Sequence, residues 1–308
     1  MDSAEHNQKD ERYLSLLIPS GIGYLLGIAY LVLISPLPFS PAESFEYIFR
    51  KPEVAVWCSL VAAQVAYFAG VTPPLLRKLK EYRAYFFKRK SELLTSGLVL
   101  LLLLTLFLLS HQLVKGDLDL PVHYQKIKIF ILTFAGLLVL VLALYGMRLV
   151  GMAVRDVPLN QQTAYESISK FIRCRDDLSW FLLVSGFIVG GATLTTGALQ
   201  RALVALNDAK FPYSPSLVLL YGAFGSGVIA LIFIPSHLAL LDVGKKLCDE
   251  LLRMPKGNIK ELLAWNEERA ELEAFLGLKG GTLDTVKTGI AILSPLAGSA
   301  ISLFIGKG

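Results

Sequence analysis

The chain has 308 residues, of which 54% are hydrophobic and 18% charged, with a formal net charge of +5 and a mean hydropathy of +0.56. Soluble globular domains carry about 25% charged residues, so this composition excludes a disordered chain, a disulfide scaffold and a solvent-exposed enzyme core. It predicts an all-α, polytopic membrane protein.

Six apolar stretches have the roughly 20 residues that an α-helix needs to cross a hydrocarbon core of about 30 Å. In chain order they are Tyr13–Ser35, Val54–Leu76, Leu93–Val114, Ile129–Val150, Leu178–Leu199 and Ser214–Leu241. The first follows an acidic, polar segment and has no small-residue cleavage site, so we expect an uncleaved signal anchor. Together they predict a six-helix transmembrane domain over residues 1–241.

Lys and Arg residues are unevenly distributed between alternate loops. If the N-terminus is cytosolic, the cytosolic segments contain 23 of them and the outer segments 7. Cytosolic loops are enriched in these cations, so we predict a multi-pass protein of the cell (inner or plasma) membrane with both ends in the cytosol. The basic segment Arg77–Lys90, which also carries aromatic residues, is expected to extend the second helix through the lipid headgroups.

The other cytosolic segments are also predicted to be helical. Thr163-Ala-Tyr-Glu166 resembles a capping box that opens a short helix, with Tyr165, Ile168 and Ile172 on one face. Four carboxylates of the predicted cytosolic segments are expected to be solvated; they are Asp176, Asp177, Asp249 and Glu250.

Residues 242–280 are predicted to form a cytosolic helical tail, with helices over Lys245–Met254 and Asn258–Leu278 separated by a Pro-Lys-Gly break. The second helix is amphipathic. Its apolar face is expected to contain Leu262, Trp265, Leu272 and Leu276, opposite Glu267, Glu268, Glu271 and Glu273. Such a helix is a candidate site for a soluble protein partner.

Residues 281–308 form an apolar, membrane-seeking segment. Its core, Gly289–Ile305, is short, interrupted by Pro295 and rich in small residues. Two structures remain open at this point: a seventh crossing, or an interfacial or re-entrant helix.

Small residues predict where helices approach closely, because in lipid such residues let backbones pack. One set is Gly23-Tyr-Leu-Leu-Gly27 in the first crossing. A second, the small-residue face of the fifth crossing, comprises Gly186, Gly190, Thr193 and Gly197, and a complementary set in the sixth crossing includes Gly222 and Gly225. These six residues are predicted either to pack the two helices together or to line a pore or an oligomer interface.

Two further features bear on mechanism. Pro235 interrupts backbone hydrogen bonding in the sixth crossing, so Pro235 and His237 mark a candidate hinge. None of the six apolar runs has Asp, Glu, Lys or Arg near its centre, and Gln64 is the strongly polar residue found there. Ion-coupled carriers and voltage sensors need intramembrane charges, so the sequence does not favour them.

The sequence therefore predicts a passive channel, pore or membrane-perturbing effector. The alternative is a non-conducting scaffold or sensor whose cytosolic helices bind a soluble partner. No catalytic constellation, cysteine–histidine metal cluster or phosphate-binding loop is visible, so we expect no enzyme activity, no metal and no cofactor. The expected partners are the lipid bilayer, further copies of the chain and a cytosolic protein, but not nucleic acid.

Overall fold

The computed structural model describes residues 19–27, 52–83, 105, 123–158, 164–207, 215–252 and 259–278. The regular structure in these ranges is entirely helical, which confirms the predicted all-α class for the described part of the chain. Its elements are α1 (Pro52–Glu81), α2 (His123–Ala153), α3 (Ala164–Asn207), α4 (Pro215–Leu251) and α5 (Ile259–Phe275), a 3-10 helix (Val154–Asp156) and a helical stretch over 19–27.

Helices α1 to α4 are long and apolar enough to cross a membrane. They contain the second, fourth and fifth predicted crossings and, from Pro215 onward, the sixth, and these four are confirmed as helices over the described residues. Of the first predicted crossing, only 19–27 lies within the described residues. The third, apart from Thr105, and the segment 281–308 lie outside them.

Helix α3 is longer than a bilayer is thick. Its 44 residues span about 66 Å at 1.5 Å per residue, against a hydrocarbon core of about 30 Å. The short separate helix predicted near Thr163 is therefore wrong, because its residues form the first turns of α3. The expected apolar face is also wrong at Tyr165, which is 87% exposed, whereas Ile168 and Ile172 pack against the core.

Helix α3 forms the centre of the bundle and contacts α1, α2 and α4. Large apolar side chains from three helices interlock and are fully buried; they include Phe171 and Phe181 of α3, Leu144 and Met147 of α2, and Ile229 and Leu247 of α4. Within lipid, such packing stabilises the bundle through dispersion contacts more than through removal of surface from water.

The helical stretch 19–27 packs directly against the backbone of α1. A Cβ atom added at Gly23 would lie 3.1 Å from the Cα atom of Ala66, and one at Gly27 would lie 2.9 Å from the Cα atom of Ala62. Neither position has room for a side chain. The prediction that Gly23 and Gly27 mark a helix-packing surface is confirmed.

The helices meet at one end of the bundle, where α1, α2 and α4 finish and α3 begins; we call this the basic end. Pro158 disfavours helical backbone in the residue before it, and Val157 is extended, with φ −69° and ψ 124°. The Ser167 hydroxyl then donates a 2.6 Å hydrogen bond to the carbonyl of Pro158. This bond ties the start of α3 to the end of the 3-10 helix.

Candidate functional site at the basic end

Charged side chains from α1 and α3 meet at the basic end. The Lys78 ammonium pairs with the Asp177 carboxylate, and the Tyr82 hydroxyl donates a 2.7 Å hydrogen bond to the other carboxylate oxygen of Asp177. The expectation that Asp177 is solvated is wrong: the residue is 3% exposed, because two donors from α1 replace the water it would otherwise bind. Burial also raises the pKa of Tyr82, so its hydroxyl stays a donor over the physiological range.

A second ion pair lies on the outer side of the first. Arg173 of α3 pairs with Glu81 of α1, and their side chains are 61% and 40% exposed, so solvent screens their attraction. Asp176, one residue before the buried acid, pairs with Arg175 at 3.0 Å. The structure thus separates two adjacent acids, since Asp176 faces solvent and Asp177 faces α1.

An open polar groove lies over these pairs, between the end of α1 and the start of α3. Its volume is about 600 Å³. The side chains that line it are Arg77, Lys78, Glu81, Ser169, Ile172, Arg173, Asp176 and Asp177. We refer to this feature as the groove.

Helix α5 is held against the bundle by polar contacts along one face. The indole nitrogen of Trp265 donates a 3.0 Å hydrogen bond to the carbonyl of Leu252 at the end of α4. Arg269 forms a 2.7 Å ion pair with Asp249 of α4 and also binds Glu273. The hydrogen bond to Glu273 raises the pKa of the Arg269 guanidinium, which is permanently charged in any case.

The end of α5 is inserted into the bundle. Gly277 has a φ of +72°, and the amides of Gly277 and Leu278 bond to the carbonyls of Ala274 and Glu273 at 3.0 and 2.8 Å, which is a Schellman ending. Leu276, within this turn, is fully buried. The predicted tail helix is therefore packed on the membrane bundle.

The other sides of α5 expose an unusual amount of apolar surface for a polar helix. Ile259 is 77% exposed and Leu263 63% exposed; Leu262 beside them is also exposed. We call these three residues the apolar patch of α5. Helix α5 as a whole is acidic, since it has five Glu residues against one Lys and one Arg.

The residues predicted to form a pore or a packing surface lie in the interior of the bundle. Gly186, Gly190, Thr193, Gly197, Gly222 and Gly225 are all buried. The Thr193 hydroxyl donates a 2.7 Å hydrogen bond to the carbonyl of Val189 in its own helix. A Cβ atom at Gly225 of α4 would meet the Val189 side chain of α3, so these two helices approach each other at this point.

The candidate hinge has a different environment. Pro235 is exposed on the surface of α4, which continues as a helix through it. The ring of His237 stacks on that of Phe233, with centroids 5.2 Å apart. Ser236, between Pro235 and His237, is buried and packs on Gly151 of α2.

Sequence reasoning missed one polar contact within the membrane region. The Thr195 hydroxyl of α3 lies 3.0 Å from the side-chain oxygen of Gln64 in α1. The Gln64 amide also packs over Gly191, where an added Cβ would lie 3.0 Å from its nitrogen. Two signals were present, a lone Gln in an apolar run and a Thr near a glycine pair, but nothing local to either showed that they meet.

No family model, curated protein or solved structure matches this chain. Within the described residues, no group of three or more His, Cys, Asp or Glu side chains is arranged to hold a metal ion. The geometry of the basic end is therefore the basis for a functional proposal.

Proposed function

We propose that this protein is a non-conducting membrane scaffold whose α5 helix binds a soluble partner on the cytosolic side. The observation that carries the proposal is the apolar patch of α5. A helix fixed to the bundle by Trp265, Arg269 and Leu276 still exposes Ile259 and Leu263, and large exposed apolar side chains that lie together commonly mark an interaction surface.

The charge of α5 indicates which kind of partner fits the patch. Helix α5 carries five Glu residues against one Lys and one Arg, and the cytosolic leaflet is itself anionic. Repulsion therefore disfavours the membrane surface as the occupant. An amphipathic helix with basic flanks matches both the apolar patch and the net negative charge of α5.

The proposed orientation places the basic end in the cytosol, with six crossings in total. Two observations support it. The cytosolic segments under this orientation contain 23 Lys and Arg residues and the outer ones 7. Helices α1 and α2 pack side by side, since Phe68 of α1 contacts Gly136 of α2. Both helices end at the basic end, so they run parallel. Two consecutive parallel helices require an odd number of crossings between them, which agrees with the predicted third crossing.

The orientation is testable by cysteine labelling in intact cells. We expect single cysteines at Lys170 and Lys260 to react only with membrane-permeant reagents, and a cysteine at Asp208 to react with impermeant ones as well. Labelling of a cysteine at Lys260 by an impermeant reagent would place α5 outside the cell and exclude a soluble cytosolic partner.

The scaffold proposal is tested with purified protein in detergent and a synthetic basic amphipathic peptide of Leu and Lys residues. We expect Leu263→Asp to abolish saturable binding, because the charge lies in the apolar patch. The matched control is Ala264→Asp, which adds the same charge at the adjacent, exposed position. Equal binding by the two variants would overturn the proposal.

The channel remains the competing proposal, and liposomes distinguish the two. A channel requires ion or solute flux through protein reconstituted alone. The burial of the small-residue face and its contact with α4 favour helix packing, so we expect no flux above that of empty liposomes. Flux that Gly190→Leu eliminates would support the channel instead.

A further inference from the structure

The groove is lined by three cations and three acids, but only two of the cations pair with acids of the lining. Asp177 forms an ion pair with Lys78, and Glu81 forms one with Arg173. Asp176 pairs with Arg175, which lies outside the lining. In the described part of the chain, Arg77 lines the groove without forming an ion pair, so its guanidinium is available to an anion.

The groove lies at the level where both helices change from apolar to charged sequence. On α1 the apolar sequence ends at Leu76, and on α3 it begins at Leu178. The Lys78–Asp177 pair brings these two boundaries to the same height. Trp180 lies beside the pair, with the Lys78 ammonium 5.3 Å from its ring centre, and Trp residues are enriched at the headgroup layer.

An apolar track continues from the groove along α3 towards the membrane. Trp180, Leu183 and Phe187 follow Arg173 and Asp176 at spacings of three and four residues, which places all five on one face of the helix. Leu183 is 43% exposed and Phe187 is 65% exposed. A ligand with a charged head and an apolar chain matches both parts of this surface, whereas free phosphate matches only the groove.

We propose that the groove binds the phosphate group of an anionic phospholipid. Arg77 donates hydrogen bonds to the phosphate oxygens, for which its planar guanidinium is suited, and the exposed Ser169 hydroxyl supplies a further donor. One acyl chain lies along Trp180, Leu183 and Phe187. This site is separate from the apolar patch of α5 and does not depend on the scaffold function.

The test uses the full chain, delipidated in detergent and titrated with short-chain phosphatidylglycerol, phosphatidylcholine of the same chain length, or inorganic phosphate. Binding is followed by native mass spectrometry and by the rise in melting temperature. We expect saturable binding of phosphatidylglycerol, weakened about tenfold by Arg77→Gln, which is the effect of losing one charged hydrogen-bonding group. The control Lys80→Gln removes the same charge from an exposed position outside the groove.

A second variant guards against an indirect effect. Ser169→Asp places a negative charge in the groove and should weaken binding at least as much as Arg77→Gln, with an unchanged melting temperature in lipid-free detergent. Equal loss in Arg77→Gln and Lys80→Gln would overturn the site, since it would show diffuse attraction. If inorganic phosphate binds at Arg77 as tightly as phosphatidylglycerol does, the lipid is not the specific ligand of the groove. If phosphatidylcholine binds as tightly as phosphatidylglycerol, the negative charge of the lipid headgroup has no role.

Discussion

Lys78 and Asp177 are 99 residues apart in the chain, and their ion pair connects the end of α1 to α3 at the basic end. The carboxylate is buried, while the ammonium retains some exposure beside Trp180. The pair therefore determines how far α1 can slide along α3, because any shift would leave a buried acid without its partner. The shape of the groove therefore depends on the relative axial position of α1 and α3.

Lys78→Met should destabilise the protein by about 3–5 kcal/mol, since removing one partner leaves the Asp177 charge buried and uncompensated. The same substitution at Lys246, whose pair with Asp242 is exposed on both sides, should have an effect of less than about 1 kcal/mol. Thermal unfolding in detergent measures both. Similar melting temperatures for the two variants would show that the Lys78 pair has no structural role.

Gly27→Leu should impair folding, because even a Cβ atom at Gly27 would lie 2.9 Å from the backbone of α1 at Ala62. Gly21 provides the matched control: it lies in the same stretch, and an added Cβ there meets nothing within 4 Å. We expect Gly21→Leu to behave as the unmodified protein. The yield of monodisperse protein and its melting temperature distinguish the variants, and equal tolerance at both positions would contradict the close helix contact.

Gly277→Ala should release the end of α5 from the bundle. The residue has a φ of +72°, and a Cβ atom there would also lie 2.7 Å from a guanidinium nitrogen of Arg175. The left-handed conformation costs a non-glycine residue about 1–2 kcal/mol. Hydrogen exchange should accelerate in α5 and remain unchanged in the centres of α2 and α3; acceleration throughout the chain would instead show that α5 supports the whole fold.

The local sequence determined which segments are helical, but not the full length of α3 and α4, which extend beyond the predicted apolar runs. Runs such as Ile129–Val150 are apolar on every side, and a helix is the way a single segment satisfies its backbone hydrogen bonds in lipid. The Gly23–Gly27 spacing likewise predicted a close contact correctly, since two glycines four residues apart leave a flat surface on any helix. These conclusions depend on neighbours in the chain and need no knowledge of the partner helix.

Only the tertiary structure decided which polar residues meet. Asp176 and Asp177 are adjacent and identical, yet one is exposed and the other buried, because successive residues on a helix point about 100° apart and α1 covers only one of the two directions. The sequence also predicted a cytosolic tail distinct from the bundle. In the structure, Trp265, Arg269 and Leu276 attach α5 to the bundle. An ion pair or a buried leucine depends on a partner brought close by the packing of whole helices, and no local pattern in this chain encodes that distance.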